Sequence, residues 1–146
     1  MKKVVFADKM IKDLKNDIEK ATIKGGKKAK EIMLEESSKI YEEFDPISYQ
    51  RRYEDGGFRD ENNIVSIMVS NDNTHKVTVR NDTMITTYNG MGEEDYLDFY
   101  IENGVYNWKR KPSARPFAAR SQERIDNGEV TDVINDYLKG KGYNVD

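Results

Sequence analysis

The sequence predicts an α+β fold, and three observations carry that reading. Apolar residues recur at three- and four-residue steps through roughly the first 44 positions. From 64 to 88 the pattern changes to short β-branched runs separated by Asn and Asp. Helical spacing then returns and holds to about residue 139. The expected element order is a long N-terminal helix, a three- to four-stranded antiparallel meander, a short helix and C-terminal helices. All belong to one domain spanning 1–146, with a short tail at 140–146.

The first element rests on Ile11, Leu14, Ile18, Ala21, Gly25, Ala29, Ile32, Met33 and Ile40, with Lys, Glu and Asp between them. Asp8 is a candidate N-cap, which places the helix start near Ala7 or Asp8. Gly25-Gly26 weakens the helix by about 1 kcal/mol per glycine relative to Ala. Ile18, Gly25 and Ile32 nevertheless fall one heptad apart, so the apolar phase survives and one helix is expected rather than two. It should stop before Asp45-Pro46, because the residue preceding proline is disfavoured in the α region.

Residues 45–63, DPISYQRRYEDGGFRDENN, have neither a helical nor a strand period. Ile47, Tyr49, Tyr53 and Phe58 are too few to offset the entropy of ordering so long a loop. The segment is therefore expected to be an extended loop that orders against a partner.

Three strands should follow. Ile64–Ser70 puts Val65, Ile67 and Val69 on one face, and His75–Arg80 alternates with Val77 and Val79 inward. Thr83–Tyr88 is rich in β-branched residues. Asn71-Asp72-Asn73 and Asn81-Asp82 supply tight turns, which makes the sheet a meander.

The stretch 93–139 reads as helical, with a polar basic loop at 104–115. Glu93, Glu94 and Asp95 suit the positive end of a short helix that Gly104 terminates. The aromatic cluster Tyr96, Phe99, Tyr100, Tyr106 and Trp108 then runs into Lys109-Arg110-Lys111. Pro116 is placed for a helix N-terminus, and Arg115, Pro116 and Phe117 are expected to anchor the chain back onto the fold. A final amphipathic helix uses Val130, Val133, Ile134, Tyr137 and Leu138 and ends at Gly140.

Composition narrows the function classes. The chain is 35% charged and 36% hydrophobic, so its apolar core must be thin or completed by other subunits. With no cysteine there are no disulfides, thiolate metal sites or cysteine nucleophiles. No apolar run is long enough for a membrane span, and the N-terminus is too short in apolar residues for a signal peptide; a soluble cytoplasmic product is expected. The net charge of −3 lacks the basic signature of a dedicated nucleic-acid binder. The local runs Lys24–Lys30 and Lys109–Arg120 read most simply as solvated faces.

No constellation for chemistry emerges. His75 is the single histidine, which leaves no nucleophile–base or zinc set. Glu93-Glu94-Asp95 could hold a divalent cation but is explained by the helix terminus. None of the glycine pairs has the strand–turn–helix context of a phosphate loop. Arg51-Arg52 between Tyr49 and Tyr53 resembles a small stacking patch for single strands, weakened by Asp55, Asp60 and Glu61. No catalytic, cofactor or metal site is expected, and the chain does not read as an enzyme.

The order of parts resembles the small neck, or tail-completion, proteins of tailed phages and their prophages. The likeness is carried by the charged helix Ala7–Phe44, the loop Phe44–Arg52 with Pro46, and the strand meander. It also rests on Tyr100-Ile101-Glu102-Asn103-Gly104, where that family often has an aliphatic-Glu-X-Gly turn, and on Ala114-Arg115-Pro116-Phe117-Ala118-Ala119, similar to its Arg-Pro-Phe segment. Tyr53–Phe58 with Gly56-Gly57 stands where the family has a Thr-Gly-aliphatic-Arg run. The resemblance implies a non-enzymatic virion component, made in the host bacterial cytoplasm, that forms a homo-oligomeric ring, commonly six-fold. Its partners would be the portal and adaptor on the head side and the tail terminator or tube on the other. Double-stranded DNA would pass through the lumen without sequence-specific binding, and no membrane partner is implied.

Tyr49, Arg51, Arg52, Tyr53, Phe58, Trp108 and Arg110 are the expected partner contacts, being residue types enriched at interface hot spots. The alternative is a small nucleic-acid-binding or regulatory protein of a mobile element that uses the Arg/Tyr loop. A metal-dependent nuclease built on Glu93–Asp95 is a third reading.

Overall fold

The computed structural model describes residues 2–43, 56–71, 74–83, 101–102 and 114–145. Helix α1 runs unbroken from Lys2 to Glu43. It starts earlier than expected: Asp8 lies inside it and is not its N-cap, since neither Gly nor Pro interrupts the residues before it. Its end falls ahead of Asp45-Pro46, as the proline predicts.

After Gly56, whose φ of 71° lies in the left-handed region, the chain makes a tight turn. Asp60 organises it, accepting from the backbone N–H of Gly56 at 2.7 Å and of Asn62 at 2.9 Å. Those two donors hold the Asp60 carboxyl below its ordinary range, with Asn62 the larger influence. A 3-10 turn, Glu61–Asn63, leads into strand β1, Ile64–Ser70. Strand β2, His75–Asn81, pairs antiparallel with it in the register Ile64↔Asn81 to Ser70↔His75. The connection is held by Asn71, whose side-chain oxygen accepts from Thr74 N–H at 2.8 Å.

Among the described residues the sheet has two strands, fewer than the three to four expected. Of the third expected strand, residues 84–88 lie outside the described residues. Thr83 is described and buried, bonded through its N–H (3.0 Å) and hydroxyl (2.6 Å) to the Asn81 side-chain oxygen.

Opposed residues of an antiparallel pair share a face. Ile64 and Met68 therefore join Val77 and Val79 toward α1. Val65, Ile67 and Val69 lie on the other face with Arg80, Thr78 and Lys76. Ile67 is 42% and Val69 62% exposed.

Helices α2, Phe117–Asp126, and α3, Glu129–Gly140, close the fold. Gly128, at φ 101°, makes the turn between them. Helix α3 runs antiparallel along α1: Glu129 meets Lys28, Ile134 meets Gly25, Tyr137 meets Lys24, and Tyr143 beyond the helix meets Asp17.

This packing explains the two glycines. A Cβ on Gly25 would sit 2.8 Å from Ile134 Cδ1 and 3.2 Å from Val130 Cγ1. One on Gly26 would sit 2.8 Å from Val77 Cγ1. The pair is where α1 is gripped between α3 on one side and β2 on the other, and close backbone approach requires the missing side chains.

Among the described residues the core lies toward the C-terminal half of α1. Met33, Ile40, Phe58, Ile64, Ile101 and Phe117 form it, with Leu34, Tyr41, Val79 and Ala118 packed around them. Phe58 meets Phe117 edge to face at 4.8 Å between ring centroids.

Candidate subunit-contact surfaces

The sheet and the C-terminal helices cover only part of α1. Asp17 is the farthest point toward the N-terminus at which the C-terminal part makes a described hydrogen bond, Tyr143 Oη donating to its carboxylate at 2.9 Å. Residues 2–16 continue beyond it as about 22 Å of helix at 1.5 Å per residue, and Phe6 to Asn16 are all exposed.

This overhang is not polar all round. Phe6, Met10, Leu14 and Ile18 step by four and Ile11 falls beside them, which makes one apolar stripe. Their exposures run from 67% at Phe6 to 36% at Ile18. The stripe continues the side of α1 that meets α3 at Gly25. It lies bare because α3 ends at Gly140. Together these five amount to about two and a half fully exposed large side chains. Burying them would contribute about 4–8 kcal/mol at 1.5–3 kcal/mol per side chain.

The outward face of the sheet is the second apolar surface, with Val65, Ile67 and Val69 flanked across the ladder by Lys76, Thr78 and Arg80. Arg80 is held by Asp82 at 2.7 Å. A groove of about 530 Å³ also opens between β2 and the C-terminal helices, floored by Gly25, Gly26, Ala29 and Met33; its titratable lining residues are His75 and Lys76.

Residues 101–102 and 115–119 are joined by hydrogen bonds. Arg115 N–H donates to Ile101 C=O at 2.9 Å. The Glu102 carboxylate accepts from Ala118 N–H at 2.9 Å and Ala119 N–H at 3.2 Å, capping α2, which Pro116 cannot cap with its own side chain. Arg115 is buried and donates to Ile40 C=O at 3.3 Å, near the end of α1; Phe117 fills the core beside Phe58. Ile101-Glu102 and Arg115-Pro116-Phe117, far apart in sequence, thus form one joint.

Two polar networks stiffen the body. Asn81 donates to Phe58 C=O at 2.7 Å and lies 3.4 Å from the Ser37 hydroxyl, while Tyr41 Oη accepts from Phe58 N–H at 3.0 Å. Arg124 binds both oxygens of Glu129 (2.6 and 2.9 Å) and reaches Glu35 at 2.7 Å and Glu36 at 3.0 Å. Burial pushes the Glu36 carboxyl up, but the hydrogen bonds from Lys39 and Arg124 outweigh it and hold it below the usual range. Arg124 lowers Glu129, and the Arg120 guanidinium bound to Glu43 lowers that carboxyl against the opposing effect of burial. The carboxylates in turn raise Arg124, Glu129 foremost.

The expected contact residues divide. Tyr49, Arg51, Arg52, Tyr53, Trp108 and Arg110 lie outside the described residues, as does Glu93–Asp95. Phe58 is corrected: at 2% exposure it is a core residue and cannot present its ring to a partner. The loop that carries it is also corrected over 56–63, where Asp60, Tyr41 and Asn81 tie the chain to the body without a partner. Of the four lysines in the first basic run, Lys24 lies over the Tyr137 ring, Lys28 pairs with Glu129 at 3.6 Å and Lys30 with Glu61 at 3.7 Å, so these three serve the fold. His75 is held by Ser70 at 2.9 Å. Among the described residues no cluster of His, Asp and Glu could hold a metal, and no helix is long and apolar enough to cross a membrane.

Sequence reasoning missed the stripe as a surface. The signal was present: a 12-residue helix cannot cover the apolar side of one of 42 residues. The Glu102 cap had no local signal, because its partners lie 16 and 17 residues away.

The YomN family model matches residues 2–140, nearly the whole chain. The chain belongs to the YomN family. That family is phage-derived, from Bacillus prophages. No curated protein and no solved structure matches. In this YomN-family chain the matched span takes in the overhang, both strands and the joint at Ile101–Phe117.

Proposed function

We propose that this YomN-family protein is a non-enzymatic structural component of a tailed-phage or prophage-derived particle. It forms a homo-oligomeric ring at the neck, completing the tail or joining it to the head connector. The observation that carries this reading is the uncovered apolar stripe on the α1 overhang. Water-exposed apolar side chains at that density, on a helix rigidly continuous with the body, mark a surface meant for burial in an assembly. The contact of Ile101-Glu102 with Arg115-Pro116-Phe117 supports it, because the two short segments that resemble neck proteins form a single physical unit. Membership of a phage-derived family agrees with it. The ring would contact portal or adaptor proteins on one side and the tail on the other, with Trp108 and Arg110 among the contact residues.

Deletion of the gene from an inducible prophage tests the proposal. Electron microscopy of the lysate should show filled heads and finished tails that fail to join, and expression of the protein in trans should restore joined particles. Normal joined particles from the deletion would refute it.

A further inference from the structure

We propose that in the free protein two copies pair their α1 overhangs antiparallel about Met10, each apolar stripe covering the other. This goes beyond the ring reading, which draws on the same stripe: a two-fold contact closes on itself, and a ring would form by displacing it.

The fold shows what this side of α1 accepts. Helix α3 lies along it antiparallel, with Ile134 at Gly25, and ends six residues later at Gly140. Both helices rise equally per residue, so Gly140 falls beside Glu19. From Ile18 back to the helix start at Lys2, no described residue occupies that track. A second α1, laid antiparallel with Met10 facing Met10, sets Phe6 against the partner's Leu14. It also brings the start of the partner's helix opposite Ile18. The added helix thus continues the line of α3 and stops beside Tyr143, which reaches across to Asp17. A parallel pair has no such room, because each α1 would run on into the α3 of the other copy.

The side chains suit that operation. Phe6, Met10 and Leu14 are 67%, 57% and 39% exposed. Their steps of four are symmetric about Met10, so one two-fold axis covers all three in both copies. Lys9 and Asp13 lie four apart on one edge of the stripe. Like edges meet in an antiparallel pair, so each Lys9 comes level with the partner's Asp13 to within about 3 Å along the axis. Asp8, Lys12 and Lys15 point roughly 140–160° away from Met10 and stay exposed, so the surplus lysines do not face one another. The outward sheet face offers no such match: its polar residues are Lys76, Thr78 and Arg80, the last already held by Asp82. The footprint is about 22 Å of helix by a helix width of about 10 Å. That falls well short of the roughly 800 Å² per partner of a stable complex, so the dimer forms at high concentration and yields to stronger contacts.

The chain has no cysteine, so cross-linking reads the contact directly. Phe6→Cys, Met10→Cys and Leu14→Cys are made in separate full-length proteins. All three positions are exposed, and unchanged melting temperatures would show that the variants fold. Under mild oxidation M10C alone should link to itself. F6C should link to L14C in a mixture, and neither of those two should link alone. Lys9→Asp added to M10C should lower the yield severalfold, and Asp13→Lys in the same chain should recover it. Self-linking of F6C alone, the mark of a parallel pair, would overturn the proposal. So would failure of both M10C and the F6C–L14C mixture to link. Either result leaves the ring reading standing, because complementation of the deletion tests that reading without these variants.

Discussion

Gly26→Ala isolates the grip of β2 on α1. In an exposed helix this substitution stabilises by about 1 kcal/mol through propensity alone. Here the new methyl would lie 2.8 Å from Val77 Cγ1 and 3.2 Å from Cγ2, where carbon atoms prefer about 3.5–4.0 Å. Relief needs a movement of roughly 0.7 Å. Valine is stiff about χ1, and Val77 is fixed by its pairing with Met68, so the helix and sheet must part. That loosens the packing of β2 on α1 and costs about 1–3 kcal/mol. Against the propensity gain, the net expected is a loss of about 0–2 kcal/mol, set by those two effects. Gly25→Ala meets the flexible end of Ile134 first and should be within about 0.5 kcal/mol of neutral, because a half-buried isoleucine can turn away. Urea denaturation followed by circular dichroism measures both, and Val77→Ala should make Gly26→Ala stabilising. A Gly26→Ala protein that gains about 1 kcal/mol over wild type would refute the reasoning, since it would mean that no close contact exists.

Asn81→Ala leaves Phe58 C=O and Thr83 N–H without their partner inside the fold and should cost about 2–4 kcal/mol in the same denaturation. Glu102→Ala removes the cap of α2 and should cost about 1 kcal/mol, with Glu102→Gln recovering part of it and amide exchange at Ala118 and Ala119 reporting the site. Glu36, Glu43 and Glu129 all have folded carboxyl values below their ordinary ones. Their contribution to stability is thus complete above the unfolded value of about 4.3 and lost as pH falls through the lower folded values. Melting temperature should be flat from neutral pH to about pH 5 and fall below about 4.5, with a shallower acid fall in Arg124→Met, which starts lower.

The elements whose cause is local were legible in the residue order. The heptad spacing of Ile18, Gly25 and Ile32 identified one helix across two glycines, and Asp45-Pro46 located its end. Alternation located β1 and β2 and turned Val77 and Val79 inward. Pro116 and Gly140 bounded the C-terminal helices. Each of these follows from backbone sterics or from a period intrinsic to the element.

What a side chain meets depends on residues far away in the chain, and only the tertiary structure decided it. Phe58 looked like a loose aromatic in a polar loop until Phe117, Tyr41 and Asn81 enclosed it. Gly25-Gly26 looked like a weak point and is a place where three elements approach closely. Val65, Ile67 and Val69 share a face by alternation alone, but that this face looks away from α1 follows from where the helix lies. The residue order dictates which surfaces are apolar. The length and placement of α3 dictate which of them remain in water, and those bare surfaces carry the proposal of assembly.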